Sequence, residues 1–246
     1  MTVTWEELGW ERVAEGVGRC RLPGWDCTAG LVLGTGTGTG TGTALMVDAG
    51  SSLAEGARLR TEAQALAGRR VTHLALTHPH FDHVFGAAAF AGADLYAAAG
   101  AEAVLAYGRE ELRLDAIRNG LPSPEAEEAT DTLPLPRHPV SGEWTLDLGD
   151  GRRALLAAVG PGHTSHDLAV LVPGDPPVVF CGDLVEESGY PQAGPDAVPS
   201  RWPAALDRLL ALGGDRARYV PGHGAVVDAA FVRAQRDALA ARFGVS

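Results

Sequence analysis

Basic clusters, long apolar runs and paired cysteines are all missing from this sequence. Acidic residues outnumber basic ones by 31 to 20, and no Lys/Arg cluster of the kind that follows a phosphate backbone occurs. Nucleic acid is therefore not expected as a partner. No run reaches the ~18 to 20 apolar residues that cross a bilayer, so no membrane association is expected.

Signals for export and for disulfide bonding are also absent. The first twenty residues carry four Glu and lack the basic start and apolar stretch of a secretory signal. Cys20, Cys27 and Cys181 are an odd set without CxxC spacing. We therefore predict a cytoplasmic protein with reduced thiols. No GxSxG motif and no cysteine with a nearby orienting histidine pattern is present, so the nucleophile is expected to be water.

Apolar strand patterns and amphipathic helix patterns alternate along the chain, and a hydrophobic content of 46% supplies a sizeable core. This alternation is typical of a layered α/β or α+β protein. We expect residues 1–246 to form one domain. Strands are predicted at 11–22, 29–48, 71–78 and 93–99, and helices at 53–66, 84–91, 101–120, 203–214 and 228–243.

Two segments stand outside this alternation. Residues 34–43 read GTGTGTGTGT and predict a lengthened surface hairpin, with a flap over a site as the alternative. Residues 121–139 are Pro-rich and lack periodicity, a composition that often lies over a binding site. We expect residues 105–140, rather than the ribbon, to determine substrate choice. The alternative is that residues 121–140 form a solvated surface excursion.

Four side chains able to bind metal follow one apolar strand, in the segment Thr77-His78-Pro79-His80-Phe81-Asp82-His83. Positions i and i+2 of an extended chain point the same way, so His78 and His80 can bind one ion together. Pro79 favours this geometry, since it fixes its own φ and disfavours the helical region for His78. Asp82 and His83 lie where the chain turns, which suits a second, adjacent ion.

Further candidate ligands follow three later strands. The turns PGH at 161–163, CGD at 181–183 and PGH at 221–223 offer His163, Asp183 and His223. The combined set of imidazoles and carboxylates is appropriate to zinc and acceptable to iron or manganese. A glycine precedes each of these three candidates, and we expect it to tolerate positive φ and allow close approach of the backbone to the metal.

The segment THPHFDH resembles the HxHxDH signature of the metallo-β-lactamase superfamily, and the later PGH, GD and PGH turns resemble its downstream ligand motifs in the same order. The resemblance covers nearly the whole chain. It implies an α+β fold, the four-layer αββα sandwich of that family. It also implies that Asp48, in LMVDAG, orients ligands rather than binding metal.

The same resemblance implies a role for each candidate ligand and two Zn²⁺ ions per chain, with iron or manganese as alternatives. Asp82 and Asp183 are expected to be catalytic as well as metal-binding. His78, His80 and His163 are expected on one ion, Asp82, His83 and His223 on the other, and Asp183 on both.

The remaining candidates receive ordinary interpretations. His73 and His138 are expected to be structural, and His166 is expected to be a loop histidine with local hydrogen bonds, with a place in the pocket as the alternative. Cys181 is interpreted as a small buried hydrophobic residue.

The leading functional hypothesis is hydrolysis of a small ester, thioester or lactone by a hydroxide that bridges two metal ions, as in hydroxyacylglutathione hydrolase-like or lactonase-like enzymes. The substrate is a small molecule, and the oligomeric state is left open. The alternative is a mono-iron persulfide dioxygenase-like oxidoreductase of the same fold. Di-iron flavoproteins are disfavoured, because they carry Glu where His80 stands and add a flavin domain. A non-catalytic relative is disfavoured as well, because no ligand is missing here.

Overall fold

The computed structural model describes residues 3–34 and 43–245. The ribbon predicted at 34–43 lies almost entirely outside the described residues. At the boundary of the described residues, Gly34 donates its N–H to the carbonyl of Thr43 at 2.8 Å. This hydrogen bond joins the ends of the two strands that flank the ribbon.

Two sheets form the centre of the molecule. The first contains seven described strands, joined in chain order: β1 (Glu11–Ala14), β2 (Val17–Arg21), β3 (Thr28–Leu33), β4 (Ala44–Val47), β5 (His73–Ala75), β6 (Asp94–Ala98) and β7 (His138–Val140). The second contains five, in the spatial order β12, β11, β10, β9, β8: β8 (Glu143–Asp147), β9 (Arg153–Ala158), β10 (Leu168–Val172), β11 (Val178–Glu186) and β12 (Arg218–His223).

Helices cover the outer face of each sheet. The first sheet is covered by helices that include α1, α4 and α5, and the second by α6 and α7. The helices are α1 (Leu53–Ala67), α2 (Phe81–Val84), α3 (Ala101–Tyr107), α4 (Arg109–Arg118), α5 (Ser123–Thr132), α6 (Trp202–Gly213) and α7 (Ala229–Phe243). A third apolar layer, including Val32, Val47, Val170 and Phe180, lies between the sheets. The predicted αββα sandwich is confirmed.

Local sequence explains where the principal helices begin and end. Ser52 accepts the N–H of Glu55 at the start of α1, and Gly68 ends that helix in the left-handed conformation with φ of 64°. Asp228 caps α7 in the same way, by accepting the N–H of Phe231. No helix in the described part of the chain is both long and apolar enough to span a bilayer.

Three predicted elements differ from the observed ones. The helix expected at 84–91 begins earlier, as α2, and continues as a 3₁₀ turn at Ala87–Phe90. The helix expected at 101–120 is divided at Gly108 into α3 and α4. The excursion at 121–139 contains α5, which begins with a proline in its first turn and buries Ala126 and Ala129. The buried residues of α5 are small, so the sequence showed no pattern of large apolar side chains that would have indicated this helix.

Candidate metal centre

The seven side chains predicted as ligands meet at one edge of the sandwich, and they come from both sheets. His78 and His80 follow β5, and α2 carries Asp82 and His83 in its first turn. Because β12 runs parallel to β11, these two strands deliver their ligands at the same end. The members contributed by the second sheet and its loops are His163, Asp183 and His223.

Three histidines form the first half of the cluster. Nδ1 of His80 lies 3.0 Å from Nε2 of His163, and the ring of His78 lies 4.6 Å and 4.8 Å, centre to centre, from those two rings. An Asp183 oxygen lies 3.7 Å from His78 Nε2 and 3.6 Å from His163 Nε2. These separations are those of donor atoms arranged around a single cation.

Asp82, His83 and His223 form the second half. An Asp82 oxygen lies 3.6 Å from His83 Nε2 and 3.4 Å from His223 Nε2. Asp183 reaches this half too, at 3.2 Å from His83 Nε2 and 3.1 Å from His223 Nε2. Asp183 therefore contacts both halves of the cluster.

A hydrogen-bonded chain behind the cluster fixes which nitrogen of two histidines carries the proton. Asp48 accepts the N–H of Thr77 at 2.7 Å and its hydroxyl at 2.8 Å, and an Asp48 oxygen lies 2.9 Å from His83 Nδ1. The Thr77 hydroxyl oxygen in turn lies 3.0 Å from His78 Nδ1. Nδ1 donates in both rings, so Nε2 is the nitrogen that faces the cluster.

Backbone carbonyls orient two further histidine rings by accepting a hydrogen bond from Nδ1. The carbonyl of Gln192 accepts from His163 Nδ1 at 3.0 Å, and the carbonyl of Trp25 accepts from His223 Nδ1 at 2.8 Å. Nε2 of each ring is again the nitrogen that faces the other ligands. Asp48 was expected to have this orienting role, whereas Gln192 and Trp25 were not foreseen, because a carbonyl acceptor leaves no trace in sequence.

His80 has the opposite arrangement. Its Nε2 lies 3.0 Å from a carboxylate oxygen of Asp196, so Nε2 donates and Nδ1 is the free nitrogen. Asp196 lies in the segment 186–200, where the sequence offered no readable motif. Each of the five rings thus has one nitrogen hydrogen-bonded outside the cluster and the other facing into it.

The protonation states differ among the cluster residues. Burial lowers the pKa of His163 to about 4 and that of His78 well below its ordinary value, so both rings are neutral. Burial opposes protonation of His223 and His83 as well, but nearby charges, including that of Asp183, raise the pKa of His223 to about 12 and that of His83 well above its ordinary value. Burial also opposes ionisation of Asp183, but the positive charges of His83 and His223 hold its pKa well below the usual range. Because neutral imidazole and ionised carboxylate are the forms that bind metal, a cation bound here would displace the protons of His83 and His223.

Two buried polar atoms at the centre lack partners. Within the described part of the chain, neither His78 Nε2 nor Asp183 Oδ1 takes part in a hydrogen bond. A buried polar atom without a hydrogen bond costs about 1 to 3 kcal/mol. A divalent cation would contact both atoms and remove this cost, so the residues present fit a metal centre.

The glycines before the later ligands are required for different reasons. Only Gly182 has positive φ, at 52°. A Cβ on Gly222 would lie 1.8 Å from Asp183 Oδ1, and a Cβ on Gly162 would lie 2.6 Å from a methyl group of Leu184. At these two positions close packing, rather than a left-handed backbone, excludes a side chain.

A cysteine lies beside the cluster, although the sequence contains no pattern that pairs a cysteine with a histidine. Cys27 Sγ lies 3.6 Å from His83 Nδ1 and donates to the carbonyl of Asp82 at 3.2 Å. Cys27 is buried, however, and burial raises the pKa of its thiol to about 12, which keeps it protonated and unreactive. Cys181 is buried among apolar residues of the second sheet, as expected.

The other histidines occupy structural positions. His166 Nδ1 lies 3.0 Å from the carbonyl of Ala99, a hydrogen bond to the loop before α3. His138 and His73 stack on opposite sides of Tyr96 in the first sheet, with ring centres 4.6 Å and 5.9 Å from it. None of these three rings lines the cleft described next.

A cleft of about 810 Å³ opens over the cluster. One wall comes from α4, through Glu111, Leu112 and Asp115, and the opposite wall from the segment 186–196. On that side Glu186 is buried, accepts the N–H of Gln192 at 2.8 Å, and has a pKa raised to about 7 by burial. This volume fits a small-molecule substrate.

The predicted cover at 105–140 thus divides into two parts. α4 lines the cleft, whereas the cleft has no lining residue between 120 and 140. α5 instead packs on α4, where the Arg109 guanidinium donates to the carbonyls of Thr130 and Leu133. Substrate contacts are therefore expected from α4 and not from the Pro-rich segment.

Comparison with known proteins agrees with this geometry. The family model described as the metallo-beta-lactamase superfamily matches residues 23–223. The hydroxyacylglutathione hydrolase of Nitrosococcus oceani is 28% identical over 63% of this chain and 49% of its own length. That of Cupriavidus metallidurans is 35% identical over 44% of this chain and 32% of its own length. The chain spans half or less of the curated relatives it matches.

Solved structures share the fold. The mono-zinc form of the metallo-β-lactamase FIM-1 from Pseudomonas aeruginosa has a TM-score of 0.68 at 19% identity, covering 95% of each chain. A metallo-β-lactamase from Pontibacter korlensis has a TM-score of 0.65 at 20% identity, covering 94% of this chain and 97% of its own. With the match of the family model over residues 23–223, the chain belongs to the metallo-β-lactamase superfamily.

Proposed function

We propose that this protein is a dinuclear metal-dependent hydrolase that cleaves a small ester, thioester or lactone. The observation that carries the proposal is the set of five histidine nitrogens that converge on Asp82 and Asp183. His78, His80 and His163 would hold one ion, Asp82, His83 and His223 the other, and Asp183 both. Two such ions supply an activated water, whose pKa falls from ~15.7 toward ~7, and an electrophile for the acyl oxygen.

The residues of the chain then have separable tasks. Asp183 can accept a hydrogen bond from the attacking water while its carboxylate contacts both halves of the cluster. Asp82 fixes the second half through its contacts with His83 and His223. Asp48 keeps His83 in the tautomer that leaves Nε2 available. We propose Asp82 and Asp183 as the catalytic residues.

The proposal also covers the domain organisation, the identity of the metal ions and the cellular location of the enzyme. Residues 1–246 act as one domain, the resident ions are zinc rather than iron or manganese, and the enzyme works in the cytoplasm. The packing of both sheets into one sandwich supports the first point, and the nitrogen-rich ligand set supports the second. The three cysteines are free thiols, as is usual in a reducing compartment.

The test combines metal analysis with a substrate panel. The purified protein, dialysed against zinc and then against buffer, is expected to retain close to two ions per chain and to hydrolyse members of a panel of esters, thioesters, lactones and β-lactams. Recovery of one ion at saturation would contradict the dinuclear centre. A protein that holds a single iron and consumes oxygen with a persulfide, without hydrolysing the panel, would instead be a dioxygenase.

A further inference from the structure

The cleft has an apolar wall beside the metal centre. Trp25 and Phe81 meet edge to face, with ring centres 5.2 Å apart, and Leu112 and Val104 line the same cleft from α4 and α3. The Trp25 indole donates to the carbonyl of Asn119 at 3.2 Å, which ties the loop before β3 to the end of α4. This wall is suited to an apolar acyl chain.

The charged side chains of the cleft are almost all acidic. Apart from the proposed ligands, the described lining residues include the carboxylates of Glu111, Asp115, Glu186 and Asp196. The single cation among them is Arg118, and it pairs with Asp115 at 3.0 Å. Glu111 is exposed and forms no ion pair within the described part of the chain. A substrate tail that lies along α4 therefore meets the negative charge of Glu111, which no cation balances within the described part of the chain.

Resting on the proposed hydrolase function, we infer that the substrate is an uncharged acyl compound whose apolar chain lies on Trp25, Phe81 and Leu112, and that compounds with an anionic tail are excluded. The metal ions would attract the reacting carbonyl, but Glu111 on α4, which has no cation beside it among the described residues, repels a second negative group farther along the substrate. A glutathione thioester carries two carboxylates. The substrate named for the curated relatives is therefore the wrong class for this cleft.

In the experiment, the zinc-loaded protein is assayed with three nitrophenyl esters of equal chain length. The esters end in a methyl, a carboxylate or a trimethylammonium group. The value of kcat/KM for the carboxylate ester is expected to be at least about tenfold below that of the methyl ester, since two like charges a few Å apart at a protein surface repel by more than 1 kcal/mol. The gap should narrow as salt rises. Equal or faster hydrolysis of the carboxylate ester would overturn the inference and leave the hydrolase function standing.

Two variants locate the charge responsible. Glu111→Lys should raise the ratio of carboxylate to methyl ester turnover severalfold. Glu128→Lys, the same change on the exposed side of α5 away from the cleft, should leave both rates as in the wild type. An equal effect of the two variants on the ratio would show that net charge, rather than the cleft, discriminates, and would overturn the inference.

A binding measurement separates this inference from the proposed function. Methyl ketones that carry the same three tails cannot be hydrolysed, and calorimetry gives their affinities directly. Weaker binding of the carboxylate ketone supports the inference even if no ester is cleaved, in which case the proposed hydrolase function alone fails. Tighter binding of the carboxylate ketone overturns the inference whatever the esters show.

Discussion

The carboxylate of Asp196 lies 3.0 Å from Nε2 of His80, and this contact joins a wall of the cleft to the metal centre. Asp196 holds the one histidine of the cluster that offers Nδ1 to its neighbours. Its side chain is 45% exposed, so its removal should not disturb the core.

We predict that Asp196→Ala weakens metal binding at the His80 half by about 10- to 100-fold, the usual effect of removing a group that orients a ligand. Asp196→Asn keeps an oxygen acceptor for His80 Nε2 and should recover part of the loss. Competition with a chromophoric chelator measures both affinities. The control is Asp94→Ala, which removes a similar exposed contact, 3.3 Å from His138 Nε2, far from the cleft. Equal effects of the two alanine variants would contradict the prediction.

Asp183 contacts both halves of the cluster, so its loss should affect both ions. We expect Asp183→Ala to retain less than a tenth of wild-type hydrolysis and to bind fewer than two ions. The loss of activity should exceed about 10-fold, which is the smallest effect typical of removing a group that only orients ligands. Circular dichroism should show a folded chain. Asp175→Ala, in an exposed ion pair with Arg216, is the control and should behave as wild type. Activity above a tenth would remove Asp183 from the mechanism.

Gly222 has no room for a side chain, because its Cβ would lie 1.8 Å from Asp183 Oδ1. Gly222→Ala should therefore displace the Asp183 carboxylate and lower metal content and activity as strongly as Asp183→Ala does. Gly24→Ala is the matched control, since no described atom lies within 4 Å of the added methyl group. Full metal content in Gly222→Ala, measured by elemental analysis, would show that the turn adapts.

The raised pKa of Asp167 leads us to predict that the stability of the protein depends on pH. Burial raises its pKa to about 7 in the folded protein, against about 3.9 when unfolded. Between these values the unfolded chain releases the proton and the folded chain keeps it, so the free energy of unfolding falls as pH rises, and the loss is complete above about pH 7.

Asp167→Asn removes this titration. Relative to wild type, the variant should gain about 1 to 2 kcal/mol in free energy of unfolding between pH 5 and pH 7, measured by urea denaturation in excess chelator. Thr164 can still donate its N–H and hydroxyl to the remaining oxygen, as both now do to Asp167 Oδ1. A parallel pH dependence in the two proteins would show that Asp167 is ionised when folded.

The fold and the seven cluster residues could be predicted because their signals are local: a strand followed by HxHxDH, and strands ending in PGH or GD. The partners that orient the rings could not. Asp196 lies 116 residues from His80, and the acceptors for His163 and His223 are backbone carbonyls, which any residue can supply. α5 was missed for another reason: its buried residues Ala126, Ala129 and Thr130 are small, and prolines lie before and after it in the sequence.

The division of the ligands between two sheets has a consequence for biosynthesis. His78, His80, Asp82 and His83 follow strands of the first sheet, but Asp183 and His223 are delivered by β11 and β12 of the second. A nascent chain emerging from the ribosome presents the first four side chains long before the others exist. Full affinity for a second ion can arise only after β12 has paired with β11, so metal loading would follow, rather than guide, formation of the first sheet.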